Sequence, residues 1–427
     1  MNNVKFEDYR EMTIEQFKSK RTLIFVAALI ATFCAGFGYS WSILQSAIMA
    51  DYPDWSPSAI ALTYTIQVAV SCLGSIPLSP IITRLNVKQN ILVGGILYGI
   101  GLFSFGFVSS LPLFYICYGV LAGAGVAFIY PQMMSYSVKV LADKGSLASG
   151  FMAAAYGSGA VIWAPVANML IGSKGFGMTM CILGVIFLVA IVAMSFFLAD
   201  IPEGYVESFQ TKAAKKDVPT KKTAPDKTRG EMMKTATCWI MLIGFSLCLT
   251  SGMLAISQAN GIVAHTAGGS IAAKAALCVS VITLFNTLGR LFWGSVSAKT
   301  DIYTVMILCA IVAAVCMAAL AVIPSGIGIV VFLALTASCF GGFATLLTPM
   351  TADFFGYKNL TVNFGFMYIA FAVAALIGPR LATSLVVING EAYNYSKAYV
   401  IGAILSVVGV ICGVILKGTY KKIQSAK

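Results

Sequence analysis

The sequence carries little charge and almost no histidine. Only 10% of its 427 residues are charged and it has one histidine, whereas 59% are hydrophobic and the mean hydropathy is +0.88. Soluble domains carry about 25% charged residues, so this composition excludes an ordinary soluble protein. Apolar runs of about 20 residues recur along the chain, and each is long enough to cross the hydrocarbon core of a bilayer. The sequence therefore predicts an all-α, multi-pass membrane protein.

Several motifs of enzymes and metal sites are missing as well. The 11 cysteines form no Cys-x-x-Cys pair, which argues against a zinc site or a disulfide framework. A phosphate-binding Gly-x₄-Gly-Lys-Ser/Thr motif is absent, so we expect no ATP drive. No Asp, Glu or His lies near the middle of an apolar run, which disfavours intramembrane acid–base enzymes and carboxylate-dependent cation or proton pumps. We expect no enzyme activity, no cofactor and no metal.

The basic residues divide unequally between the two sides of the predicted membrane. If both chain ends are cytoplasmic, the opposite side carries only Lys174, Lys274 and Lys397 of the 28 Lys and Arg residues. Cytoplasmic loops are normally enriched in Lys and Arg. We therefore attribute the net charge of +12 to the orientation of the protein in the cytoplasmic (inner) membrane, where basic residues also contact lipid. We expect no nucleic-acid binding.

The apolar runs predict twelve transmembrane helices in two groups of six. A polar, Lys-rich stretch from Asp200 to Lys234 separates the groups, and it is too short and too polar to form a core, so we expect a flexible linker. The predicted segments are a cytoplasmic N-terminal segment at 1–21, a first bundle at 22–199, a linker at 200–235, a second bundle at 236–416 and a cytoplasmic tail at 417–427. Two such bundles with a site between them near the midplane are typical of secondary transporters.

One apolar stretch, Ala272 to Lys299, carries an arginine. Ser280, Thr283, Asn286 and Arg290 are spaced three, three and four residues apart, so they form one polar stripe on a helix. A guanidinium inside the membrane costs a few kcal/mol and must be compensated. We expect the stripe to face a wet cavity in which Arg290 anchors a small anion. The alternative is a structural charge that is bonded to backbone carbonyls.

Four stretches of the chain carry a family resemblance that covers nearly its whole length. They are Gly38-Tyr39-Ser40-Trp41, Leu121 to Val126 followed by Tyr130, Asp143 to Gly150, and Phe285 to Arg290. The sequence resembles the major facilitator superfamily, and within it the oxalate:formate antiporter family, with the monocarboxylate transporters as relatives. This resemblance implies the major facilitator fold, with twelve transmembrane helices in two six-helix bundles.

The resemblance also implies a central carboxylate site with Arg290 as the salt-bridge partner. The first bundle would line this site with Tyr39, Gln67, Tyr130 and Tyr156. Phenol and amide groups can donate hydrogen bonds to carboxylate oxygens. The alternative for each of these four residues is an ordinary position in the core or at a helix interface.

Two departures from the relatives affect the expected substrate and coupling. In the stretch Tyr368-Ile369-Ala370-Phe371, Phe371 stands where oxalate carriers have a lysine, and a single central cation suits a monocarboxylate. Asn286 stands where proton-coupled carriers can have an aspartate, and an amide does not titrate. This favours anion exchange or facilitated transport, and leaves proton symport as an alternative.

A second arginine, Arg380, follows Pro379 toward the outer end of its apolar run. On an ideal helix it lies near 180° from Phe371, on the other side of the helix. Three roles remain for it: snorkelling or packing, attraction of anions in an entry vestibule, and a second carboxylate site.

Together these features predict a monomeric secondary transporter of small organic anions such as formate, lactate or pyruvate. It would work by alternating access, with a proton or a counter-anion as partner. One alternative is an oxalate or dicarboxylate:formate antiporter that uses Arg290 and Arg380. Others are a drug or lipid exporter and an anion sensor that does not transport.

Overall fold

The computed structural model describes residues 12–214, 225–322, 326–389 and 392–425. Within these ranges twelve long helices follow one another along the chain. They are α1 (Ile14–Asp51), α2 (Pro57–Leu73), α3 (Val87–Phe105), α4 (Leu111–Val140), α5 (Gly145–Lys174), α6 (Phe176–Ser195), α7 (Ala236–Ser257), α8 (Ala275–Lys299), α9 (Ile302–Val322), α10 (Ile327–Phe355), α11 (Leu360–Leu385) and α12 (Ser396–Ser425).

Shorter elements interrupt or connect the long helices. α1 tightens to a 3₁₀ turn at Gly36–Ser40, α4 widens to a π-helical stretch at Tyr115–Ala122, and α11 breaks at Tyr368. Short helices lie at Ser79–Ile82, Ala142–Lys144, Tyr205–Ala214, Arg229–Met233, Ala259–Thr266 and Gly269–Ala272. Strands β1 (Val387–Asn389) and β2 (Ala392–Asn394) pair antiparallel between α11 and α12.

Side-chain caps fix where several helices begin. Thr13 and Asn86 accept the backbone N–H of the residue three positions on, and Gln16 and Gln89 reciprocate as capping boxes before α1 and α3. Ser56 caps α2 in the same way and is followed by Pro57 in the first turn. These caps satisfy backbone donors that the helix itself leaves unpaired.

The helices have the length and polarity of membrane spans. Ten of the described helices are long and apolar enough to cross a bilayer; the apolar α2 is shorter, and α3 opens with the polar residues Lys88, Gln89 and Asn90. Large apolar side chains such as Phe107, Met169 and Val322 are exposed, as expected of a surface that faces lipid. The predicted all-α membrane fold is confirmed, and the β1–β2 hairpin is an addition that the sequence did not predict.

The twelve helices form two six-helix bundles with equivalent internal packing. In the first bundle α3 packs along α6, and in the second α9 packs along α12. Between the bundles, α5 packs against α8 and α10, while α2 and α4 pack against α11. The interface between the bundles therefore runs along the α5–α8 and α2–α11 pairs.

Hydrogen bonds join the two bundles at the end where the linker lies, which we call the linker end. Opposite it, at the hairpin end, lie β1 and β2. The bonds at the linker end run from Ser149 Oγ to the Thr345 carbonyl oxygen at 2.6 Å, between the hydroxyls of Ser135 and Thr361 at 2.7 Å, and from Ser75 Oγ to the Gly365 carbonyl oxygen at 3.0 Å. The linker end is closed by these contacts.

The linker itself packs on both bundles. Tyr205 is buried and donates a hydrogen bond to the Val140 carbonyl oxygen at 2.8 Å. Arg229 Nη1 donates to the Ile76 carbonyl oxygen at 3.1 Å, and Asp226 Oδ1 accepts the Lys358 backbone N–H at 2.9 Å. The described parts of the predicted linker, residues 200–214 and 225–235, therefore make specific contacts with the bundles although they form no core of their own. The flexibility of the linker stays a prediction.

Some predicted segment limits also differ from the structure. α1 begins at Ile14 and α12 continues to Ser425, so helical structure extends into the predicted N-terminal segment and tail. Residues 1–11, 215–224 and 426–427 of the predicted N-terminal segment, linker and tail lie outside the described residues.

Candidate functional site

A cavity of about 510 Å³ lies between the two bundles. The first bundle lines it from α1, α2 and α5, and the second from α7, α8, α10 and α11. Its lining includes the exposed residues Ser257 and Arg380 near the hairpin end. Since hydrogen bonds close the linker end, the cavity opens toward the hairpin end.

A close crossing of α1 and α5 sets the first-bundle wall. A Cβ on Gly159 would lie 2.6 Å from the Gly36 carbonyl carbon, and one on Gly36 would collide with the Tyr156 carbonyl oxygen. Only glycines permit this approach. The crossing places the Tyr39 and Tyr156 rings 5.3 Å apart, edge to face, at the cavity.

Further aromatic rings connect this wall to the second bundle. Tyr130 lies 4.4 Å from Tyr156 and 5.0 Å from Tyr368, and Tyr368 lies 4.9 Å from Phe371, all between ring centroids. Tyr156, Tyr368 and Phe371 line the cavity, whereas Tyr130 is 1% exposed and stands behind them. The rings give this part of the cavity a largely apolar wall.

The polar stripe of α8 forms the opposite side of the cavity. Thr283, Asn286 and Arg290 line it, together with Thr287, and Ser280 lies outside the lining. The prediction that this stripe faces a cavity is therefore confirmed for three of its four members. Their role in binding a substrate stays a prediction.

Arg290 is 1% exposed and its guanidinium is held from two sides. Nη1 donates to the Ala153 carbonyl oxygen on α5 at 2.5 Å, and Nε donates to Asn286 Oδ1 at 3.4 Å. A guanidinium has five N–H donors, so these bonds use a minority of them. Among the described residues no Asp or Glu lies within salt-bridge distance of Arg290. The hydrogen bond to a backbone carbonyl, which was the predicted alternative, is thus present. It does not give the Arg290 guanidinium an anionic partner among the described residues.

Tyr39 lies beside this charge in the cavity wall. Its ring centroid lies 6.0 Å from Arg290 Cζ, and the residue is 39% exposed. The described lining holds no Asp, Glu or His beside the two arginines, so the arrangement suits charge-assisted binding of an anion.

Two other predicted residues also belong to the lining. Gln67 is buried on α2, and its amide lies 3.7 Å from the position of a Cβ on Gly38. Arg380 lines the same cavity as Phe371. An ideal helix would set these two residues on opposite sides, but the helical segment that carries both contains Pro379, and the arginine side chain is long enough to reach the cavity.

A family model described as "Major Facilitator Superfamily" matches residues 28–326, which is more than half of the chain. The chain belongs to the Major Facilitator Superfamily. As a member of this superfamily it is a multi-pass membrane transporter and not an enzyme.

Relatives within the superfamily match most of the chain. The oxalate:formate antiporter of Oxalobacter formigenes is 29% identical over 387 residues, which are 89% of this chain and 87% of the relative. The uncharacterized MFS-type transporter YhjX of Escherichia coli is 27% identical over 366 residues, covering 86% and 88% of the two chains. Monocarboxylate transporter 12 of Rattus norvegicus is 23% identical over 386 residues, covering 83% and 77%.

A solved structure of the superfamily shares the fold. The transporter FucP of Escherichia coli, whose crystal structure is described as being in the outward conformation, superposes with a TM-score of 0.71 at 13% identity. The match covers 93% of this chain and 99% of FucP. At this identity the likeness supports the twelve-helix fold alone.

In this major facilitator, eight of the nine predicted site residues line one cavity and Tyr130 packs directly behind it. Gln45 and Tyr64 also line the cavity, and neither was predicted from the sequence. Trp41 stacks on Tyr64 at 5.6 Å and donates from Nε1 to Gln45 Oε1 at 2.9 Å. Tyr64 is three residues before Gln67 on α2, so helical spacing from a predicted residue was the signal that could have found it.

Proposed function

We propose that this major facilitator is a secondary transporter of small monocarboxylates of the formate, lactate or pyruvate type, with Arg290 as the carboxylate anchor. The observation that carries the proposal is the buried Arg290 guanidinium, which borders the cavity between the bundles with no carboxylate partner among the described residues. A buried charge without a counter-ion is costly, so an anionic substrate stabilises the site that it enters.

The size of this effect is adequate for binding. A carboxylate about 4 Å from the guanidinium gains roughly 4 kcal/mol at an effective dielectric of about 20, before desolvation. Two cations, Arg290 and Arg380, and no acidic residue occur in the described lining. Arg290 lies beside the aromatic rings, with its Cζ 6.0 Å from the Tyr39 ring centroid, whereas Arg380 lies near the hairpin end and Phe371 adds no charge beside Tyr368. One central cation matches one carboxylate.

The comparisons support an organic anion as the substrate class. The relative from Oxalobacter formigenes is named for oxalate and formate exchange, and the rat relative is named a monocarboxylate transporter. Both names describe carboxylate carriers, although they differ in the number of carboxylates on the substrate.

Alternating access follows from the same interface. The structure is open at the hairpin end and closed at the linker end. Because Lys and Arg are concentrated on the linker side, we assign that side and both termini to the cytoplasm. In this orientation the structure is an outward-open state. Binding of an anion neutralises Arg290 and lets the bundles close around the site.

The described lining favours exchange or facilitated transport over proton symport. Asn286 contacts Arg290 and does not titrate, and no Asp, Glu or His joins it in this lining. Substrate uptake is then expected to change little between about pH 6 and pH 8, where small carboxylic acids and Arg290 stay ionised.

A dicarboxylate:formate antiporter is the second candidate, because Arg290 and Arg380 line the same cavity. Here the two ends of a substrate such as oxalate would each need a cation. The aromatic part of the wall also fits a drug or lipid exporter, and a non-transporting anion sensor would bind the same anions without flux.

Counterflow in proteoliposomes separates these functions. Purified protein is reconstituted with unlabelled formate, lactate, pyruvate or oxalate inside, and uptake of the labelled anion is measured with and without a pH gradient. We expect monocarboxylate exchange that exceeds oxalate exchange and needs no gradient. Stronger oxalate exchange favours the dicarboxylate antiporter, binding without counterflow favours the sensor, and inhibition by apolar drugs but not by carboxylates favours the exporter.

A further inference from the structure

Gly157 on α5 lies against the tip of the Arg290 side chain, across the interface between the bundles. A Cβ built on Gly157 would be 2.8 Å from Arg290 Cζ, 2.9 Å from Nη1 and 3.1 Å from Nε. Ordinary carbon contacts lie at about 3.5–4.0 Å. The guanidinium therefore occupies the space that any side chain at position 157 would fill.

The neighbouring elements complete a narrow slot around the arginine. One turn before Gly157, the Ala153 carbonyl oxygen accepts the hydrogen bond from Nη1. On the second-bundle side, a Cβ on Gly341 of α10 would lie 3.0 Å from Arg290 Cγ. The Arg290 side chain is thus confined between α5 and α10, with Asn286 beside it on α8.

We propose that Gly157 is a positioning residue for the substrate anchor: its missing side chain opens the slot in which α5 orients the guanidinium toward the cavity. The expected effect of Gly157 on transport rests on the proposed function. Its geometric part, the contact between position 157 and Arg290, stands independently of any substrate.

The slot also ties the anchor to the interface between the bundles. Arg290 belongs to the second bundle, whereas Gly157 and the Ala153 carbonyl belong to the first. Any rocking of one bundle on the other changes this contact. Orientation of the guanidinium is therefore coupled to the arrangement of the bundles, and an anion that engages Arg290 acts on the same contact.

Substitution of Gly157 by alanine is an informative test because the obstacle is the end of a flexible side chain. The helix accepts the methyl group, and the guanidinium is displaced instead of the backbone. Gly172 provides a matched control on the same helix, since a Cβ there meets nothing within 4 Å. Both changes replace a helical glycine by a better helix former.

The geometric part is tested by a double-mutant cycle on thermal unfolding in detergent. Gly157→Ala and Gly172→Ala are each measured in the wild-type protein and in Arg290→Ala. We expect Gly157→Ala to lower Tm by about 2 °C or more in the wild type but not in Arg290→Ala, where the methyl group has room. Gly172→Ala is expected to shift Tm equally in both backgrounds. Equal shifts for Gly157→Ala would overturn the inference.

The transport part is tested by concentration-dependent counterflow of the labelled monocarboxylate. Gly157→Ala is expected to raise KM at least about tenfold with a smaller effect on the maximal rate, while Gly172→Ala keeps the wild-type KM. A wild-type KM for Gly157→Ala would overturn the positioning role. If the wild-type protein moves no carboxylate, the proposed function fails, whereas a non-additive Tm cycle still establishes that Gly157 positions Arg290.

Discussion

Replacement of Asn286 by aspartate places a carboxylate beside the proposed anchor without changing the shape of the side chain. Arg290 Nε lies 3.4 Å from Asn286 Oδ1. At that distance and an effective dielectric of about 20, an ion pair gains roughly 5 kcal/mol before desolvation. Since about 1.4 kcal/mol corresponds to a factor of ten, retention of even a third of this energy lowers substrate affinity about tenfold.

The same change introduces a group that can carry a proton. A bound monocarboxylate and the introduced carboxylate compete for Arg290 and repel each other, so entry of the anion favours protonation of the new group. Asn286→Asp is therefore expected to lose at least about 90% of uptake near pH 7.5 and to recover as the external pH is lowered. The wild type is expected to show little dependence on pH over this range.

The assay is uptake of a labelled monocarboxylate into proteoliposomes at about pH 7.5 and about pH 5.5. Asn286→Ala serves as the control, because it removes the amide without adding charge. If Asn286→Asp transports like the wild type at neutral pH, Arg290 is not the group that the anion needs. The same conclusion follows if the aspartate and alanine variants lose uptake equally at both pH values.

Three further changes test selectivity, closure and electrostatics. Phe371→Lys adds a third cation to the described lining, at the aromatic wall beside Tyr368, and is expected to raise the oxalate-to-formate counterflow ratio. An unchanged ratio would contradict the argument that a single central cation selects monocarboxylates. Arg229→Gln removes charge-assisted hydrogen bonds to the first bundle at the linker end, each worth about 1.5–3 kcal/mol. It should therefore lower Tm more than Lys234→Gln, which changes an exposed lysine nearby. Equal Tm shifts for the two variants would contradict this expectation. Asp301 lies at the linker end of the molecule. Burial raises the pKa of its carboxyl group, but hydrogen bonds from its neighbours and the charge of Lys417 lower it by a larger amount. The pKa therefore lies below its ordinary value of 3.8. This carboxylate thus contributes stability at neutral pH that is lost as pH falls through the lowered pKa. The Tm difference between wild type and Asp301→Asn should be small, since an exposed pair contributes at most about 1 kcal/mol, and should shrink as pH falls from about 7 to about 3; a difference that grows with acid would contradict it.

The overall architecture was accessible from the sequence because each membrane span must satisfy its own backbone hydrogen bonds and expose apolar side chains to lipid. Those two demands require long apolar runs, and such runs can be seen directly in the order of the residues. The polar stripe on α8 was accessible for a similar reason, since helical periodicity puts Asn286 and Arg290 on one face. Its contact with a cavity is a consequence of that periodicity.

Features that depend on contact between distant segments were not accessible in the same way. Arg380 lines the cavity although an ideal helix would set it nearly opposite Phe371, and no local pattern gives where a long side chain beside Pro379 ends. The docking of Arg229 on the first bundle depends on carbonyl groups near Ile76, far away in sequence. The slot at Gly157 requires knowledge of which residue of the second bundle faces α5.

The central claim is that Arg290 binds the carboxylate of the transported anion, and counterflow with Arg290→Gln tests it most directly. The variant is reconstituted at the same protein-to-lipid ratio as the wild type, after its membrane insertion and monodispersity have been matched. We predict that exchange of labelled monocarboxylate falls to the level of protein-free liposomes. Exchange at the wild-type rate and with the wild-type KM would contradict the account.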